Sequence, residues 1–266
     1  METSFVVSRD GTKLRIGKAG TGPRHILVIP GLAEHLGRYG HIAEALTAAE
    51  YSVTVLEPRG HGHSEGRRGH VDAWSQYADD VRAAAKTIDG PLFLLGHSTG
   101  GLIALFVAID GLPNPIRALA LSGPNVADTV EAPLKKAGAG LLSRVVPRLS
   151  IATGLNAAHI SRDRAVVDAY IADPMVYGTV TARFFTEMLK AQRRVTETAS
   201  EGTLPMLLQV GGADKIVDPS ASVAMANQWK TPATVITYPD LYHEIFNEPE
   251  KDRVFADLVE WLDKQE

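Results

Sequence analysis

The chain is 266 residues long, carries 27 Lys and Arg against 31 Asp and Glu for a formal charge of −4, and is 45% hydrophobic. That much apolar side chain offsets the cost of ordering the chain and excludes disorder as its main state, and the near-neutral charge excludes a nucleic-acid binder built on a basic stripe. Cysteine is absent, so disulfides, thiolate metal sites and a cysteine nucleophile are excluded as well.

From the N-terminus, Phe5–Ser8 and Lys13–Lys18 flank Asp10-Gly11, a dipeptide that favours a tight hairpin turn. Short apolar runs then recur at His25–Ile29, Tyr51–Leu56, Pro91–Leu95, Ile116–Leu121, Met206–Val210 and Ala233–Tyr238, bounded by Gly and Pro. Runs of this length and composition suit strands buried on both faces. Helical patterns lie between them at Tyr39–Glu50, Asp72–Asp89, Thr99–Asp110, Pro219–Trp229 and Glu250–Lys264. In the last, Val254, Phe255, Leu258, Val259 and Leu262 line up as one apolar stripe. Strand alternating with helix predicts an α/β fold, a mostly parallel sheet of about eight strands with helices on both faces.

The alternation breaks between residues 125 and 202, where the pattern is helical with no clear strand. We therefore expect a core formed by 1–124 and 203–266, with 125–202 inserted as a helical cap. Within it Lys135, Lys136, Arg144 and Arg148 interleave with Leu134, Leu141, Leu142, Val145, Val146 and Leu149. Such a segment can fold onto its own core, wall a substrate site at the sheet's carboxyl edge, or rest an apolar face on a membrane surface. The opening Met-Glu-Thr-Ser-Phe-Val-Val lacks the basic-then-apolar pattern of a secretory leader, and no run of about 18 apolar residues occurs. A cytoplasmic protein is expected, peripheral to a membrane at most.

The sharpest motif is Gly96-His97-Ser98-Thr99-Gly100, set between an apolar run and a helical pattern. G-x-S-x-G in that context is a nucleophile elbow: a strained turn lifts the serine hydroxyl clear of the sheet, and the next residue's N–H sits at a helix N-terminus. A chance match in a glycine-rich chain lacks the strand–helix setting. A serine hydroxyl needs a base, and imidazole, which titrates near neutrality, supplies one. The elbow topology asks for an acid and then a histidine after later strands, and Asp214 and His243 fit. Ser98 then attacks an acyl carbon, His243 moves the proton, and Asp214 orients the imidazole. Asp218 is a second acid on the same loop but lies further from the strand end, and Asp240 reads as a turn residue. His61, His63 and His70 lie in a polar loop and read as packing and hydrogen bonding, since no spacing completes a metal site. An oxyanion wants a second donor beside Thr99, and the Leu32 N–H after Gly31 is the candidate. Glu34, His35 and Arg38 on the same loop pair internally or contact a polar leaving group.

Four segments, Gly31–Tyr39, Arg59–Ser64, Gly96–Gly101 and Tyr242–Glu250, resemble the α/β-hydrolases, within them the monoacylglycerol lipase and lysophospholipase-like group. The resemblance implies cofactor-free hydrolysis of a small acyl ester, a single-chain acyl glycerol, and a mobile cap able to make transient membrane contact. It implies Ser98, Asp214 and His243 as the triad, Leu32 and Thr99 as oxyanion donors, and Glu34 and Arg38 near the glycerol end of the substrate. Two positions depart: Pro30 stands where the family commonly has His, and Thr99 where a larger apolar residue is usual. A generic carboxylesterase, lysophospholipase or thioesterase is the alternative on the same scaffold, and a non-hydrolytic ligand-binding homologue the alternative outside catalysis. Dehalogenases and epoxide hydrolases need Asp where Ser98 stands, and an aminopeptidase needs an acidic site for the substrate's amino group. The sequence leaves the oligomeric state open.

Overall fold

The structure is a computed structural model, described here over residues 1–127 and 140–265. Leu134, Lys135 and Lys136, and part of the expected cap, lie outside the described residues.

The hairpin expected around Asp10-Gly11 is present: β1 (Glu2–Val7) and β2 (Lys13–Ala19) pair antiparallel. Then β3 (Arg24–Ile29), α1 (Gly40–Ala48), β4 (Tyr51–Leu56), α2 (Ser75–Ala85), β5 (Leu92–His97), α3 (Thr99–Asp110) and β6 (Ile116–Ser122) alternate as predicted. After the inserted segment follow β9 (Met206–Gly211), α6 (Pro219–Gln228), β10 (Thr234–Tyr238) and α7 (Lys251–Asp263). The eight strands lie in the order β1-β2-β4-β3-β5-β6-β9-β10, and every pair from β4 to β10 is parallel.

Period-2 alternation sorts the strand side chains between two cores. Leu27 and Ile29 of β3 and Leu92 and Leu94 of β5 face the layer of α2 and α3. Ile26, Val28, Phe93 and Leu95 face α1 and α7. All six residues of β4 and of β5 are buried, which is why both read as continuous apolar runs.

Between β6 and β9 the chain departs from the expectation of helix alone. A helical turn spans residues 140–145, followed by β7 (Ser150–Ala152), α4 (Arg164–Ala172), β8 (Thr179–Thr181) and α5 (Ala182–Glu197). β7 and β8 pair antiparallel as a separate two-stranded sheet. At three residues each, neither strand is long enough to show a periodic signal. Leu141, Leu142, Val145, Val146 and Leu149 are exposed rather than packed into a core of their own. Among the described residues no helix is long and apolar enough to cross a membrane.

Candidate active site

The carboxyl ends of the parallel strands gather the chemistry, as open α/β sheets do. β3 delivers Gly31 and Leu32, β5 delivers Ser98, β9 leads to Asp214, and β10 leads to His243. Ser98 sits between β5 and α3 with φ 53° and ψ −120°, a conformation that L side chains rarely adopt. Its backbone is held on three sides: its N–H donates to Ser122 O at 2.9 Å, and its carbonyl accepts from Asn125 N at 3.0 Å and Leu102 N at 3.2 Å. Gly100 lets the first turn of α3 press on the end of β3, because a Cβ there would lie 2.1 Å from Ile29 O.

His243 and Asp214 are brought together. Nδ1 of the ring lies 2.7 Å from Asp214 Oδ2, with side chains 4% and 1% exposed. A carboxylate only accepts, so Nδ1 carries a proton, and in the neutral ring that tautomer leaves the lone pair on Nε2. The other carboxylate oxygen of Asp214 accepts from Ile216 N at 2.7 Å and Val217 N at 3.1 Å, which fixes the acid in place. Asp218 instead caps α6 by accepting from Ser220 N, and Asp240 is exposed in a turn. Among the described residues the Ser98 hydroxyl has no hydrogen-bond partner, so it is not bonded to His243 in the resting arrangement. Catalytic hydrogen bonds are commonly long in unliganded enzymes and tighten around substrate.

The N–H groups of Leu32 and Thr99 also have no hydrogen-bond partner among the described residues. Both residues line a cavity of about 520 Å³ together with Ser98. Its walls include Ile151, Val180, Phe184, Phe185, Met188 and Val217, most of them from the segment between β6 and β9. Ser98, Thr99, Asn125, Thr153, Asn156, His159 and Lys215 add polar groups to a lining that is otherwise apolar, and a chamber of this size and composition suits an acyl chain with a polar head.

Glu34, His35 and Arg38, left open by the sequence, pair internally. Glu34 Oε2 accepts from Gly31 N at 2.8 Å and from Tyr39 OH at 2.6 Å, and Oε1 accepts from Arg38 Nε at 3.0 Å. Arg38 Nη2 also donates to both carboxylate oxygens of Glu244, at 2.7 and 2.6 Å. His35 Nε2 donates to Asp173 Oδ2 at 2.7 Å, while its Nδ1 accepts from Gly37 N. The loop histidines have separate partners: His61 bonds Arg59 O, His63 meets Arg15 and His70 meets Thr181.

Three groups that sequence reasoning did not single out crowd the same place. The His97 ring lies 4.8 Å from that of His243, and its Nδ1–H donates to Ser122. Burial and the neighbouring His243 push His97 down to about 4, so it stays neutral. Glu244 is pushed up to about 7 by burial and by Glu34, against the pull of Arg38. Burial also works against ionised Glu34, but Arg38, His97 and Tyr39 outweigh it and hold Glu34 at about 2. Glu248 accepts from Tyr242 N and from the Arg162 backbone and side chain, which ties the His243 turn to the inserted segment. The one advance signal was charge density: Tyr242–Glu250 holds three glutamates beside the histidine.

A family model described as serine aminopeptidase, S33, matches residues 23–250. The chain belongs to this family. It is therefore a member of the α/β-hydrolase superfamily, as the sheet order and the elbow already indicated. A monoacylglycerol lipase of Mycolicibacterium smegmatis is 36% identical over 252 residues, covering 91% of this chain and 89% of that protein. The crystal structure of the Paleococcus ferrophilus monoacylglycerol lipase superposes with a TM-score of 0.88 at 32% identity, covering 95% of this chain and 99% of that one. A soluble variant of the Saccharomyces cerevisiae monoglyceride lipase, solved with a substrate analog, gives a TM-score of 0.86 at 25% identity, covering 98% and 94%.

Proposed function

We propose that this protein is a serine carboxylester hydrolase that cleaves monoacylglycerols to fatty acid and glycerol through an acyl-enzyme. Ser98 Oγ attacks the ester carbon while its proton passes to His243 Nε2. The carbonyl oxygen, now negative, takes the N–H groups of Leu32 and Thr99. Collapse breaks the bond to the glycerol oxygen, which leaves with the proton from His243. Water then repeats the sequence on the acyl group and frees the acid. Asp214 keeps the imidazole in the tautomer that can accept, and stabilises the imidazolium.

One observation carries the reading: a buried imidazole–carboxylate pair at 2.7 Å stands at the same sheet edge as a strained serine that opens on a largely apolar chamber. The relatives named as monoacylglycerol lipases support the choice of ester. So does a smaller cavity of about 180 Å³ that shares Leu32 and Leu155 with the first and is edged by Asp173 and Tyr177. The two cavities meet at Leu32, Thr153 and Leu155, which gives room for an acyl chain in the larger and a small leaving group in the smaller. The described part of the segment between β6 and β9, from residue 140 to 202, acts as the cap over this site. The exposed Leu141, Leu142, Val145, Val146 and Leu149 give it an apolar face for transient contact with a membrane that holds the substrate.

The test is turnover of a chain-length series of 1-monoacylglycerols against p-nitrophenyl and simple alkyl esters of the same acids. The reading expects glycerol esters to be preferred and Ser98→Ala to abolish turnover in folded protein. Glycerol esters no better than alkyl esters would reduce it to a generic carboxylesterase.

A further inference from the structure

The Glu34–Arg38–Glu244 chain joins two loops that the reaction needs in register. Glu34 belongs to the turn that presents the Leu32 N–H, and Glu244 follows His243 directly. Arg38 bridges them across 206 residues of sequence. The Glu34 carboxylate is packed beneath its own loop: a Cβ on Gly31 would lie 2.7 Å from Glu34 Oε2. There it holds the Gly31 N–H, and Glu34 N returns a bond to Gly31 O at 3.3 Å, closing a turn in which Ala33 is forced to φ 64°. A strained turn of this kind persists only where its surroundings over-determine it.

At the other end, Glu244 is fixed by Asn247 Nδ2 at 2.8 Å, and its N–H donates to Ile160 O at 2.8 Å. The guanidinium between them lies over the Tyr170 ring at 4.7 Å. Side-chain exposure is 9% for Arg38 and 5% for each glutamate. Both carboxylates are engaged by protein donors, so neither is offered to a substrate hydroxyl. A planar fork holding two carboxylates in a dry site fixes distance and angle in a way that a point charge does not.

We propose that Glu34, Arg38 and Glu244 are positioning residues that set the Leu32 N–H against the His243 imidazole, rather than a subsite for the leaving alcohol. This rests on the reading of Leu32 as an oxyanion donor. Glu244→Ala frees one end of the fork and leaves the neutral Glu34–Arg38 pair, so the variant keeps its buried charges matched. Its kcat should fall about 10- to 100-fold with KM within about threefold. The Ki of a trifluoromethyl ketone of matched acyl chain, which binds as an oxyanion, should rise by the same factor. The affinity of the plain methyl ketone should not change. Glu244→Gln, whose amide oxygen still accepts from Arg38, should recover most of kcat, and Arg38→Lys should not. A raised KM at unchanged kcat would show a substrate contact instead, and unchanged kcat with unchanged trifluoromethyl ketone binding would show that the fork sets nothing. Ser98→Ala assayed alongside separates the two levels: residual hydrolysis there would overturn the esterase reading itself, whatever Glu244→Ala does.

Discussion

Replacing Asp214 with Asn changes almost no volume and reverses one hydrogen bond. Asp214 Oδ1 accepts from Ile216 N and Val217 N, while Oδ2 faces His243 Nδ1 at 2.7 Å. An asparagine in this buried slot must keep its carbonyl oxygen toward the two N–H donors. Turning the amide would point its NH2 at them and leave both unsatisfied, at about 1–3 kcal/mol each. The NH2 therefore faces His243 and donates to Nδ1, which moves the imidazole proton to Nε2, where it cannot take a proton from Ser98. Reaching the competent tautomer costs about 2–6 kcal/mol, or roughly 30-fold to 10⁴-fold in rate. The lost stabilisation of the imidazolium places the expected fall in kcat near the upper end, about 10³- to 10⁴-fold, with KM within about threefold. The assay is steady-state hydrolysis of a soluble p-nitrophenyl ester, with a thermal melt to show that the fold is kept. A kcat within tenfold of the parent, in folded protein, would refute the tautomer argument.

Three further outcomes are expected. Gly100→Ala should cost about 3 kcal/mol of stability in urea unfolding, because its Cβ would stand 2.1 Å from Ile29 O and force α3 off β3; an unchanged midpoint would contradict that packing. His97 is held neutral down to about pH 4, so between about pH 6.5 and 4 the unfolded chain binds a proton that the folded chain does not, and stability falls with acid by about 3 kcal/mol; the stability difference between parent and His97→Gln should narrow by that amount from about pH 7.5 to 4, and a constant difference would contradict it. Leu141 and Val145 are 64% and 70% exposed, and changing both to Glu should slow hydrolysis of vesicle-borne monoacylglycerol about tenfold while leaving soluble esters untouched; equal loss on both substrates would place the residues in the acyl site instead.

The parallel strands were legible because burial on both faces leaves an unbroken apolar run with Gly or Pro at its end. β4 was read to the residue, and α3 was read in full because its first turn follows the elbow. β5 runs two residues beyond its prediction, since Gly96 and His97 still pair with Leu121 and Ser122 before the elbow turns. α2 starts at Ser75 rather than Asp72, because the Gln76 side chain takes the N–H groups of Asp72 and Ala73 and holds them in a turn. Ser98, Asp214 and His243 could be chosen because each follows a strand, so chain order alone sets their neighbourhood. The role of Arg38 could not: its partner Glu244 lies 206 residues away, and a charge beside a histidine reads the same whether it is solvated or buried. His97 was hidden for a related reason, since it fills the variable position of the elbow motif.

The proposed hydrolysis passes through transfer of the acyl group to the Ser98 oxygen. Reaction with a fluorophosphonate bearing an alkyl chain, followed by digestion and mass spectrometry, tests it directly. One adduct per chain is expected, on the peptide that contains Ser98, with labelling sharply slowed in His243→Ala. Folded protein that hydrolyses ester while Ser98 stays unlabelled would contradict it.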